Sequence, residues 1–193
     1  MPSAEAIKIQ GELIQQARKG NAAAWESLVS EHQTNVFRLA YLFLGDSVEA
    51  EDVAQETFLR AYRSLGSFDT NRPLRPWLLS ITANLARNQR RSAGRYVSAL
   101  QRLVQAEPSR LVSVEQQSAG NLQSQRLWTA LRQLDQLDQQ VIYLRYFLEL
   151  SVEETSVAMG VASGTVKSRL HRALARLRRV IEKDYPDLKD ALE

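Results

Sequence analysis

The chain has 193 residues, of which 44% are hydrophobic and 24% are charged, so it can bury a core in one large or two small domains. It has no cysteine and only two histidines, which excludes a disulfide scaffold, a cysteine nucleophile and a metal site built from thiolates or several histidines. The net charge is only +3, no apolar run approaches the ~20 residues that cross a bilayer, and the N-terminus lacks a signal-peptide pattern. We therefore expect a soluble cytoplasmic protein with no membrane insertion of its own.

Apolar residues recur at helical spacing through the first half of the chain, and glycine and capping residues separate the runs. Residues 66–75 are rich in Gly, Asp, Asn and Pro and predict a loop. Four helices are expected around this loop, with the bounds Glu12–Lys19, Asn21–Gly45, Asp46 or Ser47 to about Tyr62, and Pro76–Ser92. We expect the buried side of the third helix to consist of Val53, Phe58, Leu59 and Tyr62.

Residues 96–125 are rich in Ser, Gln and Val and are interrupted by Pro108 and Gly120. This composition predicts a flexible linker with at most transient helix. Helices are expected again over Leu127–Leu134, Asp138–Phe147 and, as a closing pair, Ser151–Ile181. No strand pattern is present, so the predicted fold is all-α, with two small helical domains over 10–95 and 126–183 joined by the linker.

The third helix carries an acidic face, because five acids and no base lie between Asp46 and Glu56. A solvated surface is the simplest interpretation, and a more specific one is a face that docks on a basic partner protein. A magnesium-dependent enzyme acting on nucleic acid is a third alternative. No histidine, lysine or nucleophile accompanies the carboxylates, so we predict no catalytic residue, no metal site and no cofactor. The candidate docking residues are Glu49, Asp52, Gln55, Glu56, Phe58 and Leu59.

The fourth helix carries a polar and basic face beside its apolar one, and four bases but no acid lie between Arg87 and Arg95. Asparagine and arginine suit adenine and guanine edges, and arginine also binds phosphate. An aromatic residue beside bases in the preceding loop could hold an unstacked base, whereas the spacing of Trp77 favours the core. The candidate nucleic-acid contacts are Phe68, Asn71, Arg72, Asn84, Arg87, Asn88 and Arg91.

The C-terminal segment has the pattern of a helix-turn-helix. Ser151 and Glu154 form a capping box, Gly160 suits a turn with positive φ, and a long helix follows from about Ser163. Six bases and no acid lie between Lys167 and Arg179. A solvated basic helix on an ordinary bundle is the alternative. The residues that a helix-turn-helix would present to DNA are Ser163, Thr165, Lys167, Ser168, Arg169, His171 and Arg172, whereas the later arginines would meet backbone or solvent.

The chain resembles the extracytoplasmic-function (ECF) sigma factors of bacterial RNA polymerase in four segments that occur in the family's order. The segments Phe37-Arg-Leu-Ala-Tyr41 and Ala50-Glu-Asp-Val-Ala-Gln-Glu-Thr-Phe-Leu-Arg-Ala-Tyr62 are similar to the polymerase-docking region. Pro76-Trp-Leu-Leu-Ser-Ile-Thr-Ala-Asn-Leu-Ala-Arg-Asn88 is similar to the region that melts the minus-ten element. Gly164-Thr-Val-Lys-Ser-Arg-Leu-His-Arg-Ala173 is similar to the helix-turn-helix of region four.

The resemblance implies a transcription initiation factor that binds core RNA polymerase and performs no chemistry itself. Glu49, Asp52, Gln55 and Glu56 would dock on the clamp helices of the β′ subunit, and the C-terminal domain would meet the β flap. Asn84, Arg87 and Asn88 would hold the non-template strand of the minus-ten element, with a flipped base in the preceding loop. The helix-turn-helix would read the minus-thirty-five element, and an anti-sigma factor is an expected partner. The alternative is a helix-turn-helix regulator that does not bind polymerase.

Overall fold

The computed structural model describes the backbone of residues 4–104 and 122–186, and the side chains of residues 5–92 and 123–186. Within these ranges every regular element is helical, as predicted. The chain divides into two compact units, Met1–Arg110 and Leu111–Glu193, and each is described by itself. No helix in the described ranges is long and apolar enough to span a membrane.

The N-terminal unit is a bundle of four helices. They are α1 (Ala4–Arg18), α2 (Ala22–Leu44), α3 (Ser47–Ser64) and α4 (Leu74–Val104), with a 3-10 turn at Leu65–Ser67 after α3. The long α2 lies at the centre, because it packs against each of the other three helices. Ile14, Leu28, Ala61 and Leu78 belong to one buried core cluster, so residues from all four helices exclude water together.

The ends of these helices follow the predicted local signals. The Asn21 side chain accepts a hydrogen bond from the Ala24 N–H, and Gly45 ends α2 in the left-handed conformation at φ 76°. Asp46 is the N-cap of α3, because its carboxylate accepts from the Glu49 N–H at 2.9 Å. Each of these contacts satisfies a backbone group that the helix itself leaves without a partner.

Several predicted bounds are wrong because the helices extend beyond the residues that carry the capping and spacing signals. Helix α1 begins at Ala4 rather than Glu12, and α4 begins at Leu74, since Pro76 is tolerated in a first turn. The backbone of α4 continues to Val104 and α5 begins at Leu122, so helix enters the predicted linker from both sides. The middle of that linker, residues 105–121, lies outside the described residues, and the limits of the two domains stay predictions.

The C-terminal unit contains α5 (Leu122–Arg132), α6 (Gln136–Ile142), α7 (Val152–Met159) and α8 (Ser163–Asp184). A π-helical turn at Tyr143–Phe147 follows α6 directly. Helix α8 packs against α5, α6 and α7, so the long basic helix is supported by every other helix of the unit. Its buried residues are Val166, Ala173 and Ile181, which recur at helical spacing and so form one apolar side.

Candidate nucleic-acid and protein interfaces

Helix α3 presents an exposed ridge that combines acidic and apolar side chains. Glu49, Asp52 and Gln55 are exposed, as the sequence predicts for a docking face. Val48, Leu59 and Tyr62 are 67%, 53% and 49% exposed. Positions 48, 52, 55, 59 and 62 recur every three or four residues and so form one stripe. We call these five positions together with Glu49 the α3 ridge.

The α3 ridge corrects the expected buried side of this helix. Leu59 and Tyr62 were expected in the core and are exposed instead, although the Tyr62 ring also contacts Trp25 at 5.1 Å between centroids. Phe58 is half-buried against the core cluster, so little of its ring faces a partner. Glu56 forms an ion pair with Arg60 one turn later, at 2.6 Å. The exposed apolar contacts of the ridge therefore come from Val48, Leu59 and Tyr62 rather than Phe58.

The loop before α4, residues 68–73, is organised around Asp69. The Asp69 carboxylate accepts from the backbone N–H of Asn71 at 3.0 Å and from its side-chain amide at 3.1 Å, and it pairs with Arg72 at 3.3 Å. Asn71 and Arg72 are exposed, as predicted. Asp69 was not among the predicted loop contacts, although an Asp side chain in a turn typically accepts from the backbone N–H two residues later.

Phe68 does not lie where the sequence suggested. It is 8% exposed and belongs to the core cluster, with its ring centroid 4.8 Å from that of Trp77. A buried ring cannot stack on a base unless it leaves the core. The preference for Trp77 as a core residue is confirmed, since it packs on the same cluster.

The polar face of α4 follows the predicted spacing. Asn84, Asn88 and Arg91 are exposed, and Arg87 is half-buried. The Arg87 guanidinium donates to the Asn84 side-chain oxygen and, at 3.2 Å, to the Ala83 carbonyl oxygen. Because the Asn84 oxygen accepts from Arg87, its amide NH2 group is the end presented to a ligand.

The C-terminal unit contains the predicted helix-turn-helix. The Ser151 hydroxyl accepts from the Glu154 N–H at 3.0 Å, while the Glu154 carboxylate accepts from the Ser151 N–H at 2.8 Å. Gly160 ends α7 at φ 65°, and α8 begins at Ser163. The capping box and the glycine turn are therefore confirmed.

The start of α8 displays the predicted DNA-facing side chains. Lys167, Ser168, His171 and Arg172 are exposed, whereas Ser163, Thr165 and Arg169 are half-buried. The Arg169 Nε is buried and makes no hydrogen bond within the described residues. A short helix, a glycine turn and a long helix with basic side chains near its start suit insertion into a DNA major groove.

Comparison with known proteins agrees with this arrangement. The family model for Sigma-70 region 2 matches residues 28–96, and that for Sigma-70, region 4 matches residues 124–177. The chain is 32% identical to the ECF RNA polymerase sigma factor SigW of Bacillus subtilis over 178 residues, covering 86% of this chain and 93% of SigW. The chain belongs to the ECF sigma factor family. It is also 34% identical to SigL of Mycobacterium tuberculosis over 169 residues, covering 86% of this chain and 93% of SigL.

Two solved structures are similar to most of the chain. CnrH, solved in complex with the cytosolic domain of CnrY, matches with a TM-score of 0.67 and 27% identity, covering 91% of this chain and 98% of CnrH. RpoE of Bartonella quintana, solved in complex with the anti-sigma factor NepR, matches with a TM-score of 0.61 and 26% identity, covering 82% and 97% of the two chains.

In this sigma factor, one arginine of α8 faces the protein rather than solvent or DNA backbone. The Arg176 guanidinium donates to the carboxylate of Asp138 on α6, which is 2% exposed. The hydrogen bond to Asp138, more than its charge, raises the pKa of Arg176 above its ordinary value. The expectation that the later arginines meet backbone or solvent is therefore wrong for Arg176, because its partner comes from another helix.

The acidic face of the sigma factor does not assemble a metal site. No three His, Asp or Glu side chains come together to hold a metal ion anywhere in the parts of the chain that the structure describes. Asp46 is engaged in capping α3, and Glu56 is engaged with Arg60. These carboxylates have local structural partners, and they do not converge as magnesium ligands do.

Proposed function

We propose that this ECF sigma factor binds core RNA polymerase through the α3 ridge and directs it to promoters by reading two DNA elements. The observation that carries the proposal is the occurrence of region 2 and region 4 matches in order on one chain. A helix-turn-helix regulator that does not bind polymerase needs only the second match, so the first match disfavours that alternative.

The clamp helices of the β′ subunit are the proposed partner of the α3 ridge. Glu49 and Asp52 of the ridge could pair with basic residues of this partner. Its exposed apolar side chains could pack against apolar residues of the same partner, and they are Val48, Leu59 and Tyr62. Charges at a rim speed association and select partners, whereas buried apolar groups contribute most of the affinity. The C-terminal domain would contact the β flap.

The minus-ten element is the proposed ligand of α4 and the loop before it. Asn84, Arg87, Asn88 and Arg91 would hold the separated non-template strand, and Asn71 and Arg72 would border the flipped base. Flipping a base costs a few kcal/mol, which edge and phosphate contacts must offset. Since Phe68 is buried, we assign the stacking role to no residue of the loop.

The minus-thirty-five element is the proposed ligand of α8. Lys167, Arg169 and Arg172 would contact base edges or phosphates from the first three turns of the helix, together with Ser163, Thr165, Ser168 and His171. An anti-sigma factor is a proposed partner of the free protein, because the similar sigma factor RpoE was solved in complex with the anti-sigma factor NepR.

In-vitro transcription with purified core polymerase on a genomic fragment library tests the proposal. The chain should confer specific start sites that core polymerase alone does not use. Asp52→Lys should abolish these starts by preventing polymerase binding, whereas Glu26→Lys, which reverses an exposed charge on α2, should leave them unchanged. A chain that binds promoter duplex but not core polymerase would support the simple regulator instead.

A further inference from the structure

Helix α1 contacts both ends of the 68–73 loop. At the entry, the Arg18 guanidinium donates through Nε to the Leu65 carbonyl oxygen at 2.9 Å and through Nη2 to the Phe68 carbonyl oxygen. At the exit, the Gln10 side-chain oxygen accepts from the Leu74 N–H at 2.8 Å. Both contacts join residues that are far apart in sequence, so they fix the loop relative to the bundle.

Each of these contacts gives a hydrogen-bond partner to a backbone group that lacks one within its own segment. Leu74 is the first residue of α4, and the N–H groups of a first turn have no partner within their own helix. Gln10 therefore acts as a cap supplied by another helix. Arg18 donates to two carbonyls with one planar group, which fixes their relative positions better than two separate donors would.

Helix α1 is itself anchored and lies close to the middle of the loop. Ile14 is fully buried and Ala17 is 2% exposed, both in the core cluster that also contains Phe68. A Cβ built on Gly11 would lie 3.4 Å from the Thr70 carbonyl oxygen, which is ordinary van der Waals contact. Helix α1 and the loop also line an open groove of about 820 Å³ that includes Asn71.

The contacts within the loop do not set its position. Asp69 ties Asn71 and Arg72 to one another, but all three residues belong to the loop and would move together. The region 2 match begins at residue 28, so it does not include α1. Burial of Phe68 against Trp77 anchors the start of the loop, and the hydrogen bonds to Arg18 and Gln10 add contacts from a helix that lies outside the family match.

We propose that α1 sets the position of the 68–73 loop and of the first turn of α4, with Arg18 and Gln10 as positioning residues for base selection in the minus-ten element. The inference rests on the proposed function of the loop. A recognition site needs its contact groups held to within a fraction of an ångström by supporting residues. Releasing either end should therefore weaken discrimination between bases more than it weakens binding to polymerase or to the minus-thirty-five element.

Hydrogen exchange on the full chain tests the positioning itself, without promoter or polymerase. Arg18→Ala should speed exchange of the backbone amides of residues 68–74, and Gln10→Ala should do so chiefly at Leu74. Lys19→Ala is the matched control, since it removes an exposed charge at the end of the same helix and should change nothing. Unchanged exchange in both Arg18→Ala and Gln10→Ala would overturn the proposal.

Promoter opening on templates that differ at single minus-ten positions tests the consequence. A mismatch at one base pair costs on the order of 5- to 150-fold in binding. Arg18→Ala should therefore reduce the ratio of opening on the matched template to opening on a mismatched one by about fivefold at the upstream positions of the minus-ten element. Polymerase affinity should stay as in the parent. An equal loss on every template, with the ratio unchanged, would overturn the proposal.

A variant that fails to fold does not obstruct the test. Should Arg18→Ala lose its helical circular dichroism, Gln10→Ala serves alone, since it removes the Leu74 cap and the hydrogen bond to His32 but leaves the core residues of α1 in place. If the parent chain itself opens no promoter, the proposed function fails, whereas the exchange result still decides whether α1 holds the loop.

Discussion

The buried side chain of His32 predicts that acid destabilises the N-terminal domain. His32 is 4% exposed. Burial, the largest cause, lowers its pKa from the ordinary 6.5, while the charge of Glu31 raises it and that of Arg75 lowers it. The unfolded chain therefore binds more protons than the native one below pH 6.5. The resulting contribution to stability is present above that pH and is lost as the pH falls below it toward the native pKa.

The magnitude follows from proton linkage. If the native ring stays neutral throughout, lowering the pH from 7.5 to 5.5 protonates only the unfolded chain and costs at most about 1.4 kcal/mol. A contact at the ring favours the neutral form as burial does. With the proton on Nδ1, the His32 Nε2 accepts from the Gln10 amide at 3.3 Å, and a protonated ring cannot accept.

Only two histidines occur in the chain, and the other, His171, is exposed. A histidine-dependent loss of stability in acid can therefore be assigned to His32. We would follow urea unfolding at pH 7.5, 6.5 and 5.5 in a Trp128→Phe background, in which fluorescence reports Trp25 and Trp77 of the N-terminal domain. His32→Gln should remove the histidine part of the acid-induced loss, and His171→Gln should retain it. An equal loss in the His32→Gln variant and the parent would refute the reasoning.

Three further predictions concern the helix-turn-helix and α4. Ser151→Ala removes the acceptor for the Glu154 N–H and should destabilise the C-terminal domain by about 1 kcal/mol, measured by Trp128 fluorescence in urea; no change would contradict the role of the capping box. Arg169→Ala should weaken minus-thirty-five duplex binding by about 1–3 kcal/mol and relax one base position, whereas equal weakening on all sequences would indicate a phosphate contact. Asn84→Ala should reduce permanganate reactivity of promoter thymines more than duplex affinity, and unchanged reactivity would count against a melting role.

The features that the sequence predicted best are those decided by neighbouring residues. Asn21, Asp46 and Ser151 cap their helices by accepting from an N–H three residues later, and Gly160 ends α7 through its own backbone freedom. Each signal needs only a few consecutive residues to act, so it is readable without the fold. The bounds of α4 were predicted less well, because Leu74 is capped by Gln10, which is distant in sequence.

The sequence predicted which segments are helical more reliably than which side of each helix is buried. Successive residues of a helix differ by about 100° in direction, so a residue at the edge of an apolar stripe can turn either way. On α3, Leu59 turns outward and Phe58 turns inward against Trp25, whereas Tyr62 is half exposed and keeps its ring against the same tryptophan. Packing against α2 decides this, and periodicity alone does not contain that information.

The role of each arginine on the basic helix α8 depends on which residue of another helix lies opposite it. Arg172 and Arg176 are one turn apart on α8 and look equivalent in sequence. Arg172 is exposed and donates to the Ser168 carbonyl of its own helix, whereas Arg176 donates to the buried Asp138 carboxylate. A buried carboxylate needs a cationic partner, so Arg176 stays paired with Asp138 and stabilises the domain. The pair therefore removes Arg176 from the side chains of α8 that could contact DNA, whereas Arg172 one turn earlier stays available.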